Sequence, residues 1–454
     1  MTFTSWQFGL FVALVFGVYY LPWVRRFQVQ CLVFASLFFY GFGQPELLPL
    51  LAVAVFGTYL FLILALKRRH IWLPIGIAFN LGLLAFFKYK FLFLPPDKLV
   101  SSGAPLIDFL LMLPLPIGIS FFVFHNISLL VDLTKRDQPA PNLGDVFLYI
   151  IFFPQLVSGP ITRAEMFMPQ IVPKRFSDVA FIDAAKWIVM GFFFKLYVAN
   201  NLNEMTAYMA YPLYQTLQTQ DKWLLVLLYS YQIYADFFGY SAIALGLGLL
   251  FGYRLPVNFN RPYVSSSFSE FWTRWHMSLS SWLRNYLYIP LGGNRRGAAR
   301  TYLNLMIVMG LGGLWHGAGL GYLLWGLCHG LLLVIERPLL PYIKGLDSMP
   351  LLPVRVGFVF LCVTLLWIFF KLPDFDQASG YIAGMFTPSV NPNPTKIFYN
   401  LALLYSLPVM IQHLPVTGYF KQWRSKAEPY LYGMLAALAF LEAGPESAFI
   451  YFQF

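Results

Sequence analysis

Apolar stretches close to membrane-spanning length recur along the whole of this 454-residue chain. They occupy residues 8–21, 29–43, 47–66 and 71–87, then 109–131, 187–202, 223–253, 302–315, 320–335, 356–370, 397–411 and 430–441. Most are apolar on every side, so each has to be covered by lipid or by its neighbours. Charged residues make up 11% of the chain and hydrophobic ones 59%, whereas an ordinary soluble domain is about 25% charged. This balance excludes a disordered chain, a coiled coil and an ordinary cytosolic enzyme. The fold class expected is an all-α polytopic membrane protein of about 10–12 helical segments, each crossing taking about 20 residues. Residues 1–454 read as a single integral membrane domain, with N-terminal helices over 1–131, a core over 132–340 and C-terminal helices over 341–454. No tandem repeat and no soluble domain stands out. The first five residues carry no basic region, and Arg25 and Arg26 follow the first apolar run. That run therefore reads as a retained helix, not a cleaved signal.

The formal charge is +11, from 31 Lys and Arg against 20 Asp and Glu. No basic module separates from the apolar segments, so a nucleic-acid partner is not expected. Basic cytoplasmic loops account for the excess, as does a basic mouth for a polyanionic substrate. Arg25-Arg26 and Lys67-Arg68-Arg69 lie in alternate breaks, which places the N-terminus and the 95–108 loop outside. Run 109–131 then delivers Lys135 and Arg136 to the cytoplasm. The segment 146–162 contains Pro154, Gly159 and Pro160 and reads as a broken or re-entrant helix. Lys195, inside an apolar run, either faces a cavity or snorkels to the interface, and snorkelling is the expectation. Cys31, Cys328 and Cys362 form no C-x-x-C pair and read as small buried hydrophobes. Cys328 beside His329 is the one cysteine with a base next to it.

Residues 253–300 depart from the apolar pattern. They hold seven arginines (254, 261, 274, 284, 295, 296 and 300) against one acid, Glu270. Within them Phe271, Trp275, Leu279 and Trp282 recur at helical spacing, with Arg274, Ser278, Ser281 and Asn285 on the other side. This predicts an amphipathic helix over about 268–288, lying along the cytoplasmic interface. It is either a solvated loop anchored by tryptophans or a dock for an anionic donor, since guanidinium forks bind phosphates in pairs of hydrogen bonds. The pyrophosphate and 3′-phosphate of CoA suit such a dock, and so does a phosphopantetheine on an acidic carrier. No P-loop and no G-x-G-x-x-G fingerprint is present.

Next comes G-L-G-G-L-W-H-G-A at 310–318, with His316 deep in an apolar context. An ionisable group at that depth is a candidate functional residue, and an imidazole can take a hydroxyl proton near neutral pH. His125, after an aromatic run, reads as capping a contact, and His70 and His413 as solvated loop borders. No histidine has the spacing of a metal ligand, so no metal is expected. Asp236, in Y-A-D-F-F-G-Y-S, either pairs with an arginine or caps a helix, or it orients a histidine and lines a tunnel with Tyr240 and Ser241.

The stretch F-W-T-R-W-H-M-S-L-S-S-W-L-R-N-Y-L-Y-I-P-L-G-G-N-R, followed by G-G-L-W-H-G, resembles the bacterial branch of the membrane-bound O-acyltransferase (MBOAT) family. The likeness is greatest to the AlgI-type membrane subunits of alginate O-acetylation. The D-alanyl transferases of teichoic acids share W-H-M-S-L-S. P-I-G-I-S-F-F-V-F at 116–124, S-G-P-I at 158–161, Y-A-D-F-F-G-Y-S and the final F-I-Y-F-Q-F also look like that branch. The resemblance therefore covers nearly the whole chain.

The resemblance implies a ring of helices with re-entrant or interfacial pieces, a thin floor and a funnel to a central histidine, here His316. His316 would be the general base, and His276 would orient the thioester or steady the oxyanion, a task that the Asn of more distant relatives could also perform by donating a hydrogen bond. Trp315 and the G-Y-S residues would line the substrate tunnel. Arg274, Arg284, Arg295 and Arg296 would hold CoA phosphates. The implied donor is acetyl-CoA, with no tightly bound cofactor. The implied acceptor is an exported polysaccharide or a periplasmic SGNH-hydrolase-like acetyltransferase, and the implied place is the bacterial inner membrane. One departure is Ala242, where alginate-branch relatives often carry an acid. A second is a C-terminal third that looks short beside some relatives. The alternatives are D-alanyl transfer from a carrier-protein thioester, and a non-enzymatic transporter or export scaffold.

Overall fold

A computed structural model describes residues 1–93, 108, 111–135, 140–157, 159–344, 351–388, 398–414, 418–447 and 449. The 95–107 part of the expected outer loop, Arg136, Ser158 and the last five residues of F-I-Y-F-Q-F lie outside them. Among the described residues the regular structure is helical throughout. Among the described residues five helices are long and apolar enough to cross a membrane, namely Pro45–Lys67, Arg69–Lys90, Thr219–Leu250, Leu320–Tyr342 and Leu352–Lys371. Large apolar side chains such as Leu60, Leu331, Phe358 and Leu361 face outward on these spans. Lipid is the solvent that suits such an outer face.

The runs at 8–21 and 29–43 do not form two independent crossings. Trp6–Tyr19 and Pro22–Gly43 pass as a span only together, bent by 96° at the break that precedes Arg25 and Arg26. A helix of 14 residues reaches only about 21 Å, short of the ~30 Å hydrocarbon core. Lys67, Arg68 and Arg69 sit at the join of the next two spanning helices.

The chain forms two compact units. The first comprises Met1–Ile188 and Ile243–Pro256. Its helices are tied by a buried polar chain. Asn126 donates to Asn80 at 2.7 Å, and the Asn80 amide donates to Thr58 at 3.1 Å. The broken segment is as expected: helix Leu143–Ile151 stops at Phe152, and a single turn, Phe153–Leu156, follows with Pro154 in its first positions. Side chains satisfy the freed backbone. Gln155 donates to Tyr149 O, Tyr149 OH donates to Thr162 O, and Thr162 N donates to His125 Nε2. His125 is thus a structural acceptor for a broken helix.

The second unit comprises Val189–Ala242 and Val257–Phe454. Its longest helix, Thr219–Leu250, continues past Ala242 into the first unit and has most of its surface covered. The remaining long helices are Gly297–His316, Leu320–Lys344, Leu352–Lys371, Tyr399–His413 and Gly418–Leu441. His413 is buried, contrary to expectation. Its Nδ1 lies 2.8 Å from Val409 O, and its ring stacks on Tyr263. The three cysteines are free and partly buried.

Candidate active site

His316 is the last residue of helix Gly297–His316. That helix crosses Leu320–Lys344 through glycines. A Cβ added to Gly313 would lie 2.2 Å from Tyr322 O, and one on Gly326 would lie 2.2 Å from Met309 O. Neither position can hold a side chain, so small residues let the two backbones touch. The close crossing fixes His316 against an aromatic wall. Its ring centroid lies 4.9 Å from Trp315, 5.2 Å from Trp325 and 5.1 Å from Phe370. Trp325 in turn stacks on Trp367. His316 is 4% exposed.

His276 reaches the same wall from another direction. The predicted continuous helix over 268–288 is three pieces. Phe268–Arg274 and Met277–Leu283 are helices of seven residues each, and a π-helical turn, Arg284–Tyr288, follows. The predicted apolar face is right, because Phe271, Trp275, Leu279 and Trp282 are all buried. They are covered by protein, however, so this is not a helix resting freely on an interface. The break falls at His276, whose φ of 42° and ψ of 52° are left-handed. An L-residue adopts that conformation at a cost of roughly 1–2 kcal/mol. A non-glycine residue held there marks a place where the surroundings dictate the backbone.

The first short helix starts on two caps. Ser267 Oγ accepts from Glu270 N at 3.0 Å. The Glu336 carboxylate accepts from Phe268 N at 2.6 Å and Ser269 N at 2.8 Å. A carboxylate at these otherwise unsatisfied amides is favourable. The His276 ring meets Phe237 edge-on at 4.6 Å and Trp315 at 6.1 Å. Burial pushes its imidazole down to about 3, so the ring is neutral and carries one N–H donor. The structure therefore brings His276, Trp315 and His316 together, with the Trp315 ring in reach of both imidazoles.

The predicted arginines divide. Arg274 forms an ion pair with Glu270 at 2.5 Å. Arg284, Arg295 and Arg296 are exposed and have no ion pair among the described residues. The loop that carries the last two is pinned by Asn304, which donates to Gly293 O at 2.9 Å.

Asp236 pairs with Lys195 at 2.7 Å, and both side chains are buried. Lys195 does not snorkel. It sits in the π-helical stretch Phe193–Ala199 and also donates to Ser447 O at 2.9 Å and Ser447 Oγ at 3.1 Å. Its Nζ lies 5.5 Å from the Tyr240 ring, which packs on Phe449 at 4.1 Å. Asp236 and Tyr240 thus belong to an anchor for Ser447 and Phe449, and Asp236 pairs with a lysine where an arginine was expected. Ser241 is buried and accepts from Asn258 Nδ2 at 2.9 Å.

Three residues of this site were missed in the sequence. Glu336 carried a usable signal, a lone carboxylate in an apolar run, the same signal that singled out Asp236. Trp325 and Asn258 carried none, because their importance comes from what lies across the fold.

A fold with spanning helices and a buried pair of histidines beside one indole fits a membrane-embedded transferase. The sequence model of the membrane-bound O-acyltransferase family, MBOAT, matches residues 37–369, and the chain belongs to that family. It is accordingly a multi-pass membrane O-acyltransferase. A probable alginate O-acetylase, AlgI, of Pseudomonas putida is 38% identical over 398 residues, which cover 85% of this chain and 80% of that protein. A peptidoglycan O-acetyltransferase of Helicobacter pylori is 36% identical over 391 residues, covering 78% and 73%. A teichoic acid D-alanyltransferase of Streptococcus thermophilus is 28% identical over 318 residues, covering 63% and 74%.

Proposed function

We propose that this enzyme moves an acetyl group from cytosolic acetyl-CoA to a hydroxyl on the far side of the bacterial inner membrane. The acceptor is an exported polysaccharide or a periplasmic acetyl-transfer partner. The observation that carries the reading is the convergence of two buried imidazoles, His276 and His316, on Trp315. The names of the AlgI-type and peptidoglycan-modifying relatives support acetyl as the group transferred.

In this reading His316 takes the proton of the acceptor hydroxyl as its oxygen attacks the thioester carbonyl carbon. A C–O bond forms, the C–S bond breaks, and the proton leaves with the CoA thiol. Neutral His276 donates a hydrogen bond to the carbonyl oxygen as negative charge develops there. Arg284, Arg295 and Arg296 hold the CoA phosphates at the cytoplasmic mouth. Arg274, already paired with Glu270, steadies the helix that leads into His276. The N-terminus lies on the periplasmic side. The thioester supplies the driving force, so no nucleotide site is required.

The test compares ester-linked acyl groups on envelope and secreted glycans from cells with wild type or His316→Ala at equal membrane levels. Mass spectrometry after mild alkaline release reads the result. Loss of acetyl ester in the variant supports the reading. Loss of D-alanyl ester instead moves the enzyme to the carrier-protein reaction. Unchanged esters overturn His316 as the base.

A further inference from the structure

The left-handed backbone at His276 is splinted by one short segment. The 258–260 segment runs beside the kink and bonds on both sides of it. Asn260 N donates to Arg274 O at 3.0 Å, and Met277 N donates to Asn258 O at 2.9 Å. The Asn258 side chain adds two bonds. Its Oδ1 accepts from Ser278 Oγ at 2.7 Å, and its Nδ2 donates to Ser241 Oγ at 2.9 Å. Asn258 is 1% exposed, and both serines are buried. One buried amide thus links the G-Y-S stretch within Thr219–Leu250 to the residues that follow His276.

We propose that Asn258 is a positioning residue of the transfer reaction, holding the His276 imidazole at its place beside Trp315 through Met277, Ser278 and Ser241. The inference rests on the reading of His276 as a participant in the chemistry. Three sequence motifs that are apart in the chain then act as one device. P-V-N-F-N supplies the amide, Y-A-D-F-F-G-Y-S the fixed point, and W-H-M-S the imidazole being aimed. Ser241 serves here as an acceptor that ties the amide to the long helix. A small displacement of a catalytic group slows the chemical step more than it weakens substrate binding.

The test is a double-mutant cycle in membranes with equal protein levels, reading kcat and the donor KM. The variants are Asn258→Ala, His276→Ala and the double variant, with acetyl-CoA and a soluble oligosaccharide acceptor as substrates. Asn258→Ala is expected to lower kcat by about 10- to 100-fold with KM little changed. In the His276→Ala background the same change is expected to cost about twofold or less, because the group it aims is gone. An equal loss in both backgrounds overturns the proposal, as does full activity of Asn258→Ala. Wild-type activity of His276→Ala is the separate result that removes the underlying reading. Should Asn258→Ala fail to accumulate, Ser278→Ala carries the same cycle, since it deletes the bond from Ser278 Oγ to Asn258 Oδ1 next to the kink.

Discussion

Each unit buries a histidine beside aromatic rings, and the proposed function gives the two residues opposite roles. In the first unit His125 packs beside Tyr149 and spends its Nε2 on Thr162 N, a backbone amide freed by a broken helix. In the second unit His316 stands at the end of a helix, enclosed by Trp315, Trp325 and Phe370, and Trp315 also meets a second imidazole, that of His276. The environments look alike in composition and burial. On the proposed function the difference lies in what the imidazole nitrogens do, and it teaches that depth in an apolar fold does not by itself mark a reactive group.

The largest test of this comparison replaces each histidine with alanine. Loss of a general base typically lowers a rate by about 10²–10⁴-fold, and that is expected for His316→Ala with the protein still folded. His125→Ala should leave turnover per folded molecule unchanged and lower thermal stability in detergent by about 1–3 kcal/mol, since a buried amide loses its acceptor. Equal turnover losses in both would erase the distinction.

The buried ion pair provides the next test. Lys195→Met leaves Asp236 charged and uncompensated, a change that costs about 3–5 kcal/mol in comparable buried pairs. The variant should reach the membrane at reduced level and melt earlier. Asp236→Leu added to it should restore much of the loss, because the stranded charge is removed. Failure of the second change to help would show that the hydrogen bonds of Lys195 to Ser447 matter more than the pair.

His276 gives a smaller, pH-dependent effect. Its folded value, near 3, lies below the ordinary 6.5, so the unfolded chain binds the extra proton first. The stability linked to this ring is complete above pH 6.5 and is lost as pH falls from there toward 3. His276→Asn should flatten the acid-unfolding profile in that window and leave the acid limb of kcat/KM where it was. A shifted acid limb would mean that His276 titrates during turnover.

The smallest effect concerns the basic loop. Arg295→Gln with Arg296→Gln should raise the donor KM several-fold with kcat held, because each exposed guanidinium–phosphate pair is worth roughly 1 kcal/mol of binding. Arg274→Gln should instead lower kcat, since its partner Glu270 belongs to the helix entering His276.

Much of the site was legible in the chain because motif residues are close together. W-H-G put Trp315 beside His316 by adjacency alone, and the apolar spacing of Phe271, Trp275, Leu279 and Trp282 correctly gave the buried face. The kink at His276 was invisible, since periodicity continues through it and only the bonds from 258–260 reveal the turn. Lys195 was misread for a related reason. Snorkelling is judged from a residue and its helix, whereas its carboxylate lies 41 positions away and Ser447 lies 252 away.

The sequence by itself determined that this chain is a helical membrane protein with basic joins, and which residues carry titratable chemistry, because hydropathy and residue type are local properties. The tertiary structure alone decided which of those residues meet. It set His276 beside Trp315, paired Lys195 with Asp236, and made Asn258 the splint of a strained turn. Those outcomes depend on distances between segments far apart in the chain, and such distances are fixed only when helices pack.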